Sequence, residues 1–323
     1  MTTYILRRLL WIPFLLLGIS LMTFVIFTLA PGDPVTALIK PGAMEATTQI
    51  GSGMEVLRER YGLDKPIHVR YLVWLRELLK GNLGYSYSTE RPISEMIVEV
   101  LPATLLLQVS SIGMALLFGI VLGVVSALKQ YSVVDHALTF VALFGISVPS
   151  FFIALIAMFI FSVKLGWLPI AGMWTVGEPR VFNLDLLRHM VLPSLAGGIV
   201  HIASYLRYTR ASTLDALSAD FVVTARAKGL RERLVVARHV LRNALLPIVT
   251  LFGLSLPGLL GGSFIIETIF SWNGLGLLGY RALMNRDYPL QMGMALMVAT
   301  MVLLANLITD IAYVLVDPRV RYG

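Results

Sequence analysis

The sequence predicts an all-α membrane protein with six transmembrane helices and with both termini in the cytoplasm. Three observations predict it. Of the 323 residues, 57% are hydrophobic and only 14% are charged, and the charges are pooled between long neutral runs. A soluble domain carries about 25% charged residues in a shell around its core, so an ordinary soluble enzyme is excluded and lipid must solvate the runs. The chain has no cysteine, which removes disulfide frameworks, thiolate metal sites and cysteine nucleophiles. A net charge of +7 would suggest nucleic acid in a soluble protein. In a membrane chain it reflects arginine and lysine retained in cytoplasmic loops, so no nucleic-acid partner is expected.

A helix crosses the hydrocarbon core with about 20 apolar residues. Six runs free of Asp, Glu, Lys and Arg meet or approach that length: Leu9 to Ala30, Val100 to Leu128, Ala137 to Val163, Met190 to Leu206, Asn243 to Ile266 and Tyr288 to Thr309. They give spans at 9–30, 100–128, 137–163, 190–212, 247–267 and 288–313. An outer segment at 31–99, an outer loop at 164–189, a cytoplasmic loop at 213–246, an outer piece at 268–287 and a tail at 314–323 connect and follow them. The fourth run is the shortest and holds Pro193, Gly197, Gly198 and His201. Such breakers are tolerated where neighbouring helices satisfy the backbone, so this span is expected to be buried among the others. The first run follows Arg7 and Arg8 but is longer than a signal-peptide core and other spans follow it, so it is expected to stay uncleaved.

Charge sets the orientation. From Arg207 to Arg242 the chain carries eight Arg and Lys against three acids, and Lys129 and Arg319 to Arg321 fall on the same side. The positive-inside rule places that side in the cytoplasm. The outer segment, with eight basic and nine acidic residues from Pro31 to Glu99, is neutral on this point. It opens with turn chemistry at Pro31, Gly32, Asp33 and Pro34. A helical pattern then runs through Tyr71, Leu72, Leu75, Leu78 and Leu79 and ends at Gly81, which reads as a small cap on the outer mouth or an amphipathic helix on the lipid surface. Thr268 to Tyr280 is apolar but broken by Ser271, Trp272, Asn273, Gly274 and Gly276, a re-entrant or interfacial piece. No internal repeat of the secondary-carrier type is evident, and six spans make a small pathway, so a second membrane subunit is expected.

The polar stretch Asp220 to Pro247 carries the mechanism, since it is helical, cytoplasmic and works in water. Asp220 is placed to cap a short helix with Phe221, Val222 and Ala225 on or near one face, and Gly229 to close it with a left-handed cap. In a second helix Arg231, Arg238 and Arg242 share one face, while Leu234, Ala237, Leu241 and Leu245 form another. Glu267 and Asp310 sit at the ends of the fifth and sixth runs, where snorkelling or capping is the default reading. The fifth run carries Ser255, Pro257, Gly258, Gly261, Gly262 and Ser263, small residues that permit close packing or leave room for solute. No G-x-x-x-x-G-K-[ST] cradle is present, so any ATP is bound by another polypeptide. H-E-x-x-H and G-x-S-x-G are also missing, and no catalytic residue, metal ligand or cofactor site is expected in the chain.

Ala225-Arg226-Ala227-Lys228-Gly229-Leu230, followed by Arg238-His239 and Leu241-Arg242-Asn243-Ala244-Leu245-Leu246-Pro247, resembles the coupling loop of the dipeptide, oligopeptide and nickel permeases of ABC importers. Tyr61 to Pro66, Gly81 to Ser86, Arg91 to Ile93, Leu101 to Leu105, Phe270 to Gly276 and Arg286 to Pro289 recur in order in that family, so the resemblance covers nearly the whole chain. It implies a type I importer permease fold in the bacterial inner membrane, moving di- or oligopeptides by alternating access, with nickel, glutathione and opines as alternatives. A stand-alone secondary carrier or channel is the rival class. The implied partners are a second homologous permease, one or two ATPase subunits holding ATP and Mg, a periplasmic or lipid-anchored solute-binding protein, and membrane lipid. The residues implied in ATPase coupling are Asp220, Thr224, Ala225, Arg226, Ala227, Lys228 and Gly229. Those implied along the pathway are Ser255, Gly258, Gly261, Gly262, Ser263 and Glu267. One departure stands out, because the general importer pattern begins Glu-Ala-Ala six residues before the glycine, where this chain has Val223, Thr224 and Ala225. The distance from Gly229 to Pro247 exceeds that in sugar importers and favours the peptide and nickel branch.

Overall fold

A computed structural model of the chain describes residues 2–29, 64–261 and 263–316, and every regular element among them is helical. The turn expected at Pro31 to Pro34, the family motif from Tyr61 to Leu63, and Gly262 lie outside the described residues. Four helices are long and apolar enough to cross a membrane: α1 (Thr2–Leu29), α3 (Ile93–Leu128), α6 (Leu184–Leu217) and α12 (Tyr288–Val316). Two further crossings arise if each of two bent pairs counts as one. The remaining elements are α2 (Ile67–Leu79), α4 (Val133–Ser147), α5 (Ser150–Lys164), α7 (Asp220–Ala227), α8 (Glu232–Ala244), α9 (Leu246–Gly261), α10 (Phe264–Ile269) and α11 (Leu275–Met284).

The third neutral run is not one straight helix. It breaks between α4 and α5, which meet at 111°. Pro149 offers no N–H and crowds the residue before it, and Val148 is accordingly extended, at φ −91° and ψ 130°. A wide π-helical stretch, Met158–Lys164, finishes α5. The fifth run departs from expectation as well. It bends by 43° where α8 gives way to α9, with Pro247 in the first turn of α9. The α9 helix then stops at Gly261, and Glu267 belongs to the separate short helix α10.

The centre of the fold is the pair α3 and α6. Ser110 bonds Ser194 at 2.6 Å, Gly119 faces Tyr205 and Gly123 faces Thr209. Both numbers rise together, so the helices run parallel and the α4–α5 pair must return the chain between them. A Cβ on Gly123 would lie 2.6 Å from that of Thr209, and one on Gly198 2.7 Å from the carbonyl oxygen of Ser111. Only glycine lets the backbones approach this closely. As expected of the fourth span, α6 is the most buried of the four long helices. Asn183 caps it by accepting the Leu186 N–H at 2.9 Å.

Around this pair α1 and α12 run antiparallel, with Phe27 against Tyr288 at one end and Arg8 paired with Asp310 at the other. Ile93 of α3 packs against Gly293 near the start of α12. Hence Arg8, Asp310, the end of α3 and the end of α6 all lie at one end of the bundle. At the opposite end α2 leans on α1, with Phe24 at 5.3 Å from the Tyr71 ring and 5.7 Å from Trp74. Gly81 closes α2 with φ +80°, its N–H bonded to Leu78 and the Asn82 N–H to Glu77. That pattern is a Schellman cap. Hydrogen bonds from Lys80 at 2.6 Å and Asn82 at 3.2 Å hold the Glu77 carboxyl below its usual range.

Candidate functional site

The polar segment that begins at Asp220 folds onto the end of the bundle that holds the ends of α3 and α6. After α6, Ala219 takes an extended conformation and α7 starts at Asp220. Asp220 is therefore the first helical residue and not the side-chain cap expected of it. Its charge still sits at the positive end of the helix dipole. Thr224 donates its hydroxyl to the Asp220 carbonyl at 2.9 Å. The left-handed cap expected at Gly229 is present, with φ +75°. The Gly229 N–H reaches the Arg226 carbonyl at 2.9 Å and the Leu230 N–H that of Ala225 at 3.4 Å, a second Schellman motif. Any residue with a Cβ would be strained there.

Val222 and Ala225 are buried, packed with Ala216, Val235, Val240 and Ala244. Phe221, expected beside them, points outward with Val223, which is 60% exposed. Thr224, Ala227 and Lys228 are exposed too. A salt bridge from Arg226 to Glu232, at 2.6 Å and 3.1 Å, ties α7 to the start of α8. The Glu232 carboxylate hydrogen-bonded to it raises the Arg226 pKa. In α8 the apolar face differs from the one read at regular spacing. Val235–Val240 forms a π-helical turn that rotates the register, so Val235, Val236, Val240 and Ala244 are buried while Leu234 and Ala237 are exposed. Arg231, Arg238 and Arg242 are all exposed.

A bidentate ion pair that the periodicity did not reveal braces this end. Arg210 on α6 meets Asp135 on α4 with two contacts of 2.7 Å, and Asp135 also accepts from the Ser126 hydroxyl and, at 2.9 Å, from the Tyr131 N–H. Asp135 is buried. It lies between the second and third neutral runs, where an acid reads as an ordinary loop charge.

The described pathway candidates are divided between α9 and the start of α10. Ser255 donates to the Phe252 carbonyl at 2.7 Å and lies 3.3 Å from the Tyr205 hydroxyl, facing α6. Gly258 has open space around it, Gly261 ends α9, and Gly262 lies outside the described residues. Ser263 caps α10 by accepting the Ile266 N–H at 3.3 Å. Glu267 is fully buried and does not snorkel. It caps, but the helix that it caps is α11. Its Oε2 accepts the N–H groups of Gly276 at 2.7 Å and Leu277 at 3.4 Å, while Thr104 on α3 accepts that of Leu275 at 2.7 Å. The Thr104 hydroxyl donates to Oε1 at 3.1 Å. The first three N–H groups of α11 are thus satisfied by side chains from elsewhere. Trp272, also fully buried, donates Nε1–H to the Ala103 carbonyl at 2.8 Å. The broken apolar piece is a tight elbow fastened to α3. A second buried carboxylate, Asp287, accepts from the hydroxyls of Ser86 at 2.5 Å and Ser88 at 2.8 Å and from the Tyr87 and Ser88 N–H groups at 3.1 Å, fastening the stretch before α3 to the start of α12.

An all-helical bundle with four to six candidate spans among the described residues defines a polytopic membrane protein. Comparison with known proteins agrees. Residues 119–322 match the family of the binding-protein-dependent transport system inner membrane component, and residues 1–108 match the N-terminal region of such components. The chain belongs to that family and is a multi-pass protein of the bacterial inner membrane. It is 42% identical to an oligopeptide transport system permease protein of Bacillus subtilis, with 100% of both chains covered. It is 40% identical to a di/tripeptide transport system permease protein of Pseudomonas aeruginosa, over 100% of this chain and 99% of that one. It is 38% identical to a glutathione transport system permease protein of Salmonella choleraesuis, with 100% of both covered.

Proposed function

We propose that the chain is one permease subunit of an ATP-driven importer of di- or oligopeptides and that α7 is its coupling helix. The observation that carries the coupling role is the division of α7 into two faces. Val222 and Ala225 anchor it to α8, while Phe221, Val223, Thr224 and Ala227 leave an apolar patch on an otherwise polar end of the bundle. Exposed apolar surface in such a place calls for a partner. ATP and Mg are held by that partner, an ATPase subunit, and the permease contributes the lever. The positive-inside rule puts this end, and with it both chain ends, in the cytoplasm. A second permease completes the pathway, and a solute-binding protein delivers peptide to the elbow side. Peptide is preferred because relatives named for oligopeptides and di/tripeptides align over essentially the full chain at 40% identity or more. Glutathione is the alternative, by the same likeness at 38%.

Substituting exposed Phe221 and Val223 together by Asp leaves the buried anchor untouched. The variant should elute as a single species from detergent-solubilised membranes without its ATPase. Co-purification of the ATPase at the wild-type level would refute the assignment of α7.

A further inference from the structure

We propose that the groove between α4 and α6, at the cytoplasmic end of the bundle, binds one anionic phospholipid. The groove, of about 340 Å³, is lined by Thr139 and Leu143 of α4 and by Leu206, Arg207, Tyr208, Arg210 and Ala211 of α6. Its charges are asymmetric. Arg210 is committed to Asp135 through both contacts of 2.7 Å, so that pair is neutral. Arg207, one turn away, is exposed and has no hydrogen-bond or ion-pair partner among the described residues. Among the described residues the site therefore carries a single free cation, matched to the one charge of a phosphodiester. The hydroxyls of Thr139 and Tyr208 offer it donors.

Depth decides between a lipid and a free anion. Asp135 stands in the first turn of α4. Leu143 follows it by eight residues, roughly 12 Å along the helix at 1.5 Å per residue. On the same helix Phe140 and Phe144 are exposed, with stacked rings 6.5 Å apart. Arg207 precedes Arg210 by three residues on a helix that ends at this side, so its Cα stands about 4.5 Å deeper than the Asp135–Arg210 level, within snorkelling reach of the headgroups, and an apolar shelf runs on from it toward the membrane centre. A phosphate ion would use the first and leave the second empty; a phospholipid uses both, as in basic pockets between spans on the cytoplasmic side. Arginine suits the task because its stem can lie along apolar surface while the guanidinium reaches the interface.

The placement of this end in the cytoplasmic leaflet rests on the orientation proposed above. The experiment uses the assembled importer, purified in detergent, exchanged with phosphatidylglycerol or with phosphatidylcholine of the same acyl chains, and read by native mass spectrometry. Phosphatidylglycerol should be retained in preference to phosphatidylcholine, and Arg207→Gln should weaken its retention about fivefold, the worth of one arginine near an anionic lipid surface. Leu143→Trp, which fills the groove, should lower retention of both lipids. Equal retention of the two lipids by the wild type, undiminished phosphatidylglycerol on R207Q, or displacement by inorganic phosphate would overturn the proposal. So would a wild-type complex in which this groove holds no lipid because protein covers it. ATPase co-purification scored on the same samples keeps the outcomes separate: lipid lost with the ATPase retained touches this site alone, whereas failure of the coupling assignment appears with Phe221 and Val223.

Discussion

Glu267 offers the most direct test of the elbow. In Glu267→Ala the N–H groups of Gly276 and Leu277 lose their acceptor, as does the Ser263 N–H at 3.4 Å, and the Thr104 hydroxyl loses the oxygen to which it donates. The 2.7 Å bond from Gly276 to a carboxylate is the strong one, on the order of 1.5–3 kcal/mol. The three longer bonds together add about 2 kcal/mol, and the removed carboxylate returns part of its own desolvation penalty. A net loss of about 3 kcal/mol is expected. Glu267→Gln keeps one acceptor oxygen and should lose about half as much. Unfolding in detergent, followed by tryptophan fluorescence, reads the change, since Trp272 is buried in the elbow itself. The expected order of stability is wild type, then E267Q, then E267A. Were E267A as stable as the wild type while solute preference in transport changed, Glu267 would be a pathway residue and the capping account would fail.

Three further perturbations test the frame. Asp135→Ala or Arg210→Ala alone leaves an uncompensated charge and should cost about 3–5 kcal/mol by the same unfolding assay. The double variant should recover part of that loss, and strict additivity would show that the pair is not coupled. Gly123→Leu should abolish recovery of monodisperse protein, because even its Cβ meets Thr209 and Leu206 at under 3 Å, whereas Gly113→Ala, in open space, should be neutral or slightly stabilising. The chain has no cysteine, so paired cysteines report directly. Ile93→Cys with Gly293→Cys places the two Cβ atoms 3.8 Å apart, the ordinary disulfide separation of about 3.8 Å. Mild oxidant should block maleimide labelling of this pair; free labelling after oxidation would mean that α3 and α12 do not meet there.

The long helices were legible because lipid imposes one requirement on every residue of a span, and neutral runs of 17 to 29 residues announce it without knowledge of any contact. Gly229 and Gly81 were legible for a local reason, since a left-handed cap asks for glycine whatever surrounds it. Pro149 stood in view inside the third run, yet hydropathy counts apolar residues and takes no account of a missing N–H. The π-helical turn at Val235–Val240 hid the buried face of α8, because spacing at 3.6 residues assigns Leu234 and Ala237 to a face that the wider turn rotates outward. The partners of Glu267 and Asp287 lie far away in sequence, up to 163 and 201 residues distant. No window along the chain contains both halves of such a bond. Family resemblance carried the motifs around them, from Leu101 to Leu105 and from Phe270 to Gly276, and the structure supplies a physical reason for those two to occur together: Thr104, Ala103 and Trp272 belong to one knot.

Close approach at Gly119, Gly123 and Gly198 also bears on how such a chain can change over generations. A side chain gained at any of the three would meet a backbone carbonyl of the facing helix, at 3.1 Å for Gly119 and at 2.7 Å for Gly123 and Gly198, so a smaller residue opposite does not make room for it. Gly119 and Gly123 are therefore expected to stay glycine whatever stands at Tyr205 and Thr209. Phe140 and Phe144, exposed on α4, are under no such restriction within the chain and can vary one at a time among apolar residues.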